Sequence, residues 1–400
     1  MREERTASMD AAPLWDALER HLPAAVELRH ELHRRPSLSG EEAPTRDAVV
    51  AALPEGMTRT DVARTGSVLR LGRPGPAIGV RGEMDALPIH ETTGVEWESR
   101  NGGVMHACAH DVHMAALVAL AGAVDEIGVP HSLLAVLQPR EETYPSGAED
   151  IMAAGVLRDQ ECAAMIGAHI QPTLGHQQVA CVPGGVNAAS DEFVVEITGS
   201  PGHAAYPHLA VDPVLTTAQV VVALQAVVSR MVDPMRSAVL GVSSIIAGEA
   251  ANVIPGTARA RGTLRALDPQ TRGLLREQLQ SVATGVAAAH GCRAEVTITP
   301  GEPVLDNHPG LTELSRVHLE GRDYSISDSL RSLGSDDFSF YGEQIPALMM
   351  FVGTGAGGGL HTSDFLPGDD DVRHVAQAMC AGYLAAAQMI EMDLGAESHS

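Results

Sequence analysis

A chain of 400 residues is long enough for two or three domains, each with its own core, and a hydrophobic content of 44% excludes a disordered polar segment. Only 3% of the residues are aromatic, so the core is expected to be built mostly from Ala, Val, Leu, Ile and Met. A formal net charge of -24 argues against direct binding to nucleic acid or to an anionic membrane surface.

The opening stretch MREERTASMDAAPLW lacks the apolar core of a signal peptide. No run of about 18 apolar residues follows it, so no membrane and a cytoplasmic location are expected. Residues 13–35 have helical spacing and stop at Pro36; Glu41 to Leu53 reads as a second helix. Residues 77–81 form a short apolar strand. Asp111 suits the N-cap of a helix over 112–127, closed by Gly128 and Pro130. Apolar runs at 132–137 and 163–169 read as buried strands, with a short helix at 146–154 between them. Strands alternating with helices imply an α/β layer architecture.

From residue 188 the pattern changes. Strand-like 192–198, helix 212–232, strands 238–247 and 257–266, helix 269–289 and strand 293–299 give the order β-α-β-β-α-β, a ferredoxin-like α+β unit. Residues 257–266 alternate strictly, Ala258, Ala260, Gly262 and Leu264 against Arg259, Arg261, Thr263 and Arg265. The α/β pattern then resumes with a helix near 310–320, an apolar strand at 347–352, a Gly-rich loop at 353–359 and a helix over 372–392. The expected fold is therefore an α/β sheet domain with helices on both faces (1–187 and 302–394), interrupted by a lid domain (188–301), with a disordered tail at 395–400.

The chemistry gathers in a few places. Five cysteines, Cys108, Cys162, Cys181, Cys292 and Cys380, are odd in number and scattered, which is not a disulfide framework. Four of them read as small buried hydrophobes. Cys108 stands in Met105-His-Ala-Cys-Ala-His-Asp111, where thiolate and imidazole are the donors a borderline-soft divalent metal prefers. In an extended segment Cys108 and His110 would project to one side. Glu141 and Glu142 follow the strand 132–137, His169 ends the apolar run 163–169, and His361 follows the strand 347–352 through the Gly-rich loop. Open α/β sheets place their active sites at such strand ends. Each residue alone has an ordinary reading: Cys108 as core, His169 as a satisfied buried histidine, the glutamates as a solvated pair, His361 as an exposed loop residue. Their convergence on one sheet edge points instead to a hydrolytic metal centre. There one glutamate binds metal and its neighbour accepts a proton from an activated water. In the inserted unit, His203 in Gly202-His-Ala-Ala-Tyr-Pro-His208 and Asn252 in Asn252-Val-Ile-Pro255 are donors suited to an oxyanion or a substrate carboxylate, or simply a loop residue and a turn former. Arg265 is a further candidate carboxylate partner.

Seven motifs occur in order: Arg81-Gly-Glu-Met-Asp-Ala-Leu-Pro88, Met105–Asp111, Gln138-Pro-Arg-Glu-Glu142, Gly202–His208, Asn252–Pro255, Ser335-Asp-Asp-Phe-Ser-Phe-Tyr341 and Leu360-His361. Together, over residues 20–392, they resemble the N-acyl-amino-acid amidohydrolases. That family includes aminoacylase-like enzymes, hippurate hydrolases and indole-3-acetyl-amino-acid hydrolases, within the co-catalytic metallopeptidases. The resemblance implies a metal-dependent hydrolase of linear amides acting on small N-acyl amino acids. It implies two divalent ions, zinc or manganese with cobalt or nickel as further options, held by Cys108, His110, Glu142, His169 and His361. It implies Glu141 as general base, His203 stabilising the tetrahedral intermediate, Asn252 contacting substrate, and a homodimer or homotetramer assembled through the lid. His106 and His113 are left with supporting or structural roles. A dipeptidase or carboxypeptidase on the same scaffold, and a non-catalytic binding relative, are the alternatives. The chain departs from the family pattern at Ala109, where Gly is usual and an ordinary backbone conformation is expected, at Glu83 (usually Asp), at Arg140, and at Thr143 to Ser146.

Overall fold

The computed structural model describes residues 11–397. The readings of a leaderless start and of a disordered tail lie outside it at residues 1–10 and 398–400; at 395–397 the last helix continues, against expectation. The chain divides into two compact units, Met1–Gly184 with Asp306–Leu330 and Phe340–Ser400, and Gly185–Leu305 with Arg331–Ser339. The smaller unit is thus wider than the 188–301 span read from the sequence.

The larger unit opens with α1 (Ala12–Arg34) and α2 (Ala43–Ala52), then β1 (Thr58–Val62), β2 (Gly66–Leu71) and β3 (Ala77–Glu83). It continues with α3 (His110–Ile127), β4 (Ser132–Gln138), α4 (Gly147–Ala153), β5 (Cys162–Gln171) and β6 (Gln178–Ala180). The sequence gives no strand signal for β1, because its polar residues stay exposed or half-buried as the edge of the sheet.

The smaller unit follows as β7 (Ala189–Thr198), α5 (Pro213–Met231), β8 (Ala238–Ala247), β9 (Thr257–Ala266), α6 (Pro269–Ala289) and β10 (Arg293–Pro300). Its sheet runs β8-β9-β7-β10 and is antiparallel throughout. Alternation along β9 buries Ala258, Ala260 and Leu264. Ala260 and Leu264 join Phe193, Val195 and Ile197 of β7, Val220, Leu224 and Val227 of α5, and Leu275 and Leu279 of α6 in one core. By length and composition α5 could cross a bilayer; here its buried stripe belongs to that core instead. Asp191 of β7 is buried and receives both Arg272, in contact with one oxygen at 2.5 Å, and Arg276, at 2.6 Å to the other.

The chain then returns to the larger unit with α7 (Pro309–Glu320), β11 (Ser325–Ser327), β12 (Ala347–Gly353) and α8 (Asp370–Glu397). The eight-stranded sheet has the order β1-β2-β4-β3-β5-β12-β6-β11. Its centre, β4-β3-β5-β12, is parallel. Every residue of β3, β4 and β12 is buried. Successive side chains point to opposite faces, so both faces of these strands are covered. The core is built mostly from Ala, Val, Leu, Ile and Met of α1, α3 and α8 packed with these strands, with Trp15 and Tyr383 among them.

Candidate metal centre

At the carboxyl ends of β3 and β4 the larger unit gathers most of the expected ligands. Cys108 and His110 do come together, but not through an extended segment. Ala109 between them is left-handed, with φ 66 and ψ 21, and the helix starts at His110. The expectation of an ordinary backbone at Ala109 is therefore wrong. The left-handed residue turns the chain sharply from a loop into α3, placing Cys108 beside the first helical turn. Its carbonyl accepts from the amides of Val112 and His113, so Ala109 takes the capping place expected of Asp111. Asp111 lies inside the helix, fully buried, and binds Arg29 at 3.2 Å and His33 at 3.0 Å.

The sulfur of Cys108, a ring nitrogen of His110 and an oxygen of Glu142 all lie within 4.8 Å of one another. His169 reaches the group with Nε2, 3.5 Å from Cys108 Sγ. His361 reaches it with Nε2, 3.2 Å from Glu142 Oε1. Glu141 Oε2 stands 3.9 Å from His110 Nε2. All five expected ligands and Glu141 are thus in one cluster. His169 lies within β5, which runs on to Gln171, rather than at the last position of the strand.

The hydrogen bonds on the far side of each imidazole fix which nitrogen faces the cluster. His110 Nδ1 donates to the carbonyl of Asp85 at 2.8 Å, and His169 Nδ1 donates to the carbonyl of Ile170 at 2.7 Å. Each ring therefore turns Nε2 toward the cluster, where its neutral form offers the lone pair a metal requires. His110 Nε2 is buried and makes no hydrogen bond. His113 is different: Nε2 accepts from the Ile170 amide at 3.1 Å, and Nδ1 donates to Glu83 at 3.2 Å. Both of its nitrogens are spent, so His113 braces β5 against β3 and α3 rather than holding a metal. Its pKa is lowered, first by burial and then by the nearby His110, against the pull of Glu83.

Electrostatics make the same point. Burial pushes the Cys108 thiol well above its usual range, with Glu142 and Glu141 adding to the rise against the pull of His110. A thiolate there needs a cation beside it. Burial opposes ionisation of Glu142, but His361 and His110 outweigh it and lower its pKa. The donor set of one sulfur, imidazole nitrogens and a carboxylate, with an orphaned buried Nε2, fits a divalent ion of borderline softness.

Two acidic residues missed by the sequence reading shape this cluster. Asp85 accepts from the Glu142 amide at 2.9 Å and from Ser39 at 2.8 Å. Glu42 is fully buried and accepts from the amides of Arg140 at 3.0 Å and Gly40 at 2.7 Å. Asp85 had a usable signal, a carboxylate two residues past a strand end; Glu42 had none. Arg140, with φ 51, points away from the ligands and binds Asp150 at 2.6 Å and the carbonyl of Pro145. It anchors the loop that carries Glu141 and Glu142 and does not reach into the cluster. Gly147 is required beside it, since a Cβ there would lie 1.7 Å from the Pro139 carbonyl oxygen.

In the smaller unit, His203 pairs with Val253 in a two-residue ladder, and the Ala204 amide donates to the Asn252 carbonyl at 3.0 Å. His203 and Asn252 are therefore neighbours. His203 Nδ1 accepts from the Ala205 amide at 3.1 Å, which leaves the proton of the neutral ring on Nε2. Arg265 donates to the carbonyl of Leu333 at 2.8 Å.

Sequence comparison places this mixed sheet and its cluster of side chains in a family. Residues 79–381 match the model of peptidase family M20/M25/M40, and the chain belongs to that family. It is 36% identical to the N-acetyl-L-cysteine deacetylase of Bacillus subtilis over 82% of this chain and 80% of that protein. It is 32% identical to the N-acetyldiaminopimelate deacetylase of the same organism, over 90% of this chain and 97% of that one. Among solved structures it resembles the YXEP protein of Bacillus subtilis, described as a dinuclear metal-binding peptidase from the M20 family. The TM-score is 0.81 and the identity 28%, covering 92% of this chain and 98% of that one.

Proposed function

We propose that the chain hydrolyses the amide bond of N-acyl amino acids or similar small conjugates, with two divalent ions held by Cys108, His110, Glu142, His169 and His361. The observation that carries this is the convergence of these donors with Glu141 at one sheet edge, with His110 and His169 both turning Nε2 toward the cluster. Ions bound there supply a Lewis acid for the scissile carbonyl and lower the pKa of water toward neutrality. Glu141 takes the proton of the attacking water and returns it to the departing amine. His203 donates from Nε2 to the developing oxyanion, and Asn252 and Arg265 orient the substrate. Relatives named as deacetylases of N-acetylated amino acids support this substrate class.

The reading extends to a cytoplasmic homodimer or homotetramer. Its support is the five unpaired cysteines and, in the smaller unit, exposed Val214, Leu215 and Val222 of α5 with Ile245 and Ile246 of edge strand β8.

The test is Glu141→Gln, assayed on a panel of acyl-glycines, other N-acyl amino acids and dipeptides. The variant is expected to keep its metal content and to lose on the order of 10²–10⁴-fold in turnover, the usual worth of a general base. A fully active Glu141→Gln variant rejects the assignment. A wild-type preference for dipeptides over acyl amino acids replaces it with a peptidase.

A further inference from the structure

Apart from the cluster above, a second set of donors in the larger unit has no part in the proposed reaction. His176 lies in the loop between β5 and β6, and Asp371 and His374 lie in the first turns of α8. One donor atom from each comes within 4.8 Å of the other two. Asp371 and His374 are 2% and 5% exposed, whereas His176 is exposed.

The hydrogen bonding of Asp371 divides between its two oxygens. Oδ2 accepts from Thr354 at 2.5 Å and from the Gly368 amide at 2.8 Å, which fixes the carboxylate in place. Oδ1 is buried, makes no hydrogen bond, and stands 3.6 Å from His374 Nδ1, which is also buried without one. That separation is too long for a hydrogen bond. It is close to the roughly 3.3 Å between two ligand atoms of a tetrahedral ion with bonds of about 2.0–2.1 Å. Two adjacent orphaned polar atoms in a buried position are costly unless a third party satisfies both. The spacing i, i+3 sends both side chains to one face of α8. The ring of His176 packs edge-on against that of His374, with centroids 4.7 Å apart. A cavity of about 370 Å³ beside His374, lined also by Gln177, Tyr324 and Gln377, gives access to water. The nearby Arg373 is drawn off by Glu19 at 3.1 Å.

We propose that His176, Asp371 and His374 form a binding site for one divalent transition-metal ion, zinc foremost, additional to the ions of the Cys108 cluster. Two imidazoles and one carboxylate are a donor set that zinc accepts, with water completing the coordination. The bound ion joins the segment leading from β5, which carries His169, to the start of α8, which follows His361. It acts as a cross-link between two stretches far apart in sequence.

The test counts zinc in the full-length protein. Wild type, His176→Ala and His374→Ala are saturated with zinc, freed of loose ion and analysed for metal per chain. Both variants are expected to hold one ion fewer than wild type and to keep wild-type turnover. Because His176 is exposed, its replacement leaves folding intact even where His374→Ala does not. An unchanged zinc count in His176→Ala overturns the proposal. Cobalt loading identifies which ion is lost: the wild-type minus His176→Ala absorption difference is expected to lack thiolate charge transfer, since the triad has no cysteine. A thiolate band in that difference assigns the lost ion to the Cys108 cluster and equally overturns the proposal.

Discussion

Ala109 shows how much one residue can decide. A left-handed backbone costs a residue with a Cβ about 1–2 kcal/mol relative to the right-handed form, and the chain bears this where glycine would avoid it. The gain on the other side is burial, since the methyl group is fully enclosed in the core, worth about 0.8 kcal/mol. The terms nearly offset, so Ala109→Gly is expected to change the melting temperature little. Ala109→Val adds a β-branched side chain at positive φ with no space around it, and is expected to destabilise by at least about 2 kcal/mol. Thermal melts of the two variants check this; a valine variant as stable as wild type would contradict the left-handed geometry.

Asp85 acts at the same scale. It holds the Glu142 amide, and its backbone carbonyl orients His110. Replacing the side chain, as in Asp85→Ala, is expected to weaken metal affinity about 10–100-fold. Titration with a competing chelator measures this, and unchanged affinity would remove Asp85 as a positioning residue.

Among the elements, α1 contributes most that its pattern conceals. Arg29 is fully buried in an otherwise ordinary amphipathic helix, bound to Asp111, to Asp369 at 2.7 Å and to the Pro367 carbonyl at 2.6 Å. His33, one turn further on, bridges Asp111 and Glu91, each at 3.0 Å. Burial alone would lower the pKa of His33, but Asp111 and Glu91 outweigh it and raise it to about 9. The folded-state pKa is above the unfolded one, so protonated His33 stabilises fully below about pH 6.5. That contribution fades as pH rises through about 9. His33→Gln keeps a polar side chain without the charge. The difference in melting temperature between wild type and His33→Gln is therefore expected to shrink from pH 6.5 to pH 9. A constant difference across that range would show that His33 is neutral.

For the whole molecule, the sequence was legible where side-chain chemistry and strand order coincide. Largely apolar runs marked β3, β4, β5 and β12, and Cys108, His110, Glu142, His169 and His361 stood out because those strands deliver them to one edge. The strict alternation of β9 and the β-α-β-β-α-β order marked the inserted unit. What stayed hidden depends on contacts between distant segments. The conformation of Ala109 is imposed by the join of a loop to α3. The roles of Glu42, Arg29 and His33 arise from partners up to 340 residues away. Residues 331–339 join the smaller unit although the sequence resumes its α/β pattern before them. Of the two orphaned atoms in the His176 group, neither has any sign in the sequence, since satisfaction of a polar atom is a property of the packed state.

The parallel pairing of β5 with β12, Met165 against Ala347 through Gln171 against Gly353, has a bearing on synthesis. When β5 leaves the ribosome, its partner on that side has not been translated, and the whole of the smaller unit's sheet lies between them. At roughly 5–20 residues per second the delay is on the order of ten seconds. Throughout it the apolar edge of β5 is bare, the kind of edge that recruits other chains. The nascent protein should therefore complete its inserted sheet first and seal its central sheet last. Ribosome-bound chains stopped just before β12, with residues 189–300 clear of the exit tunnel, should be protease-resistant over 189–300 and sensitive in the larger unit; the reverse order of protection would show that the central sheet closes without β12.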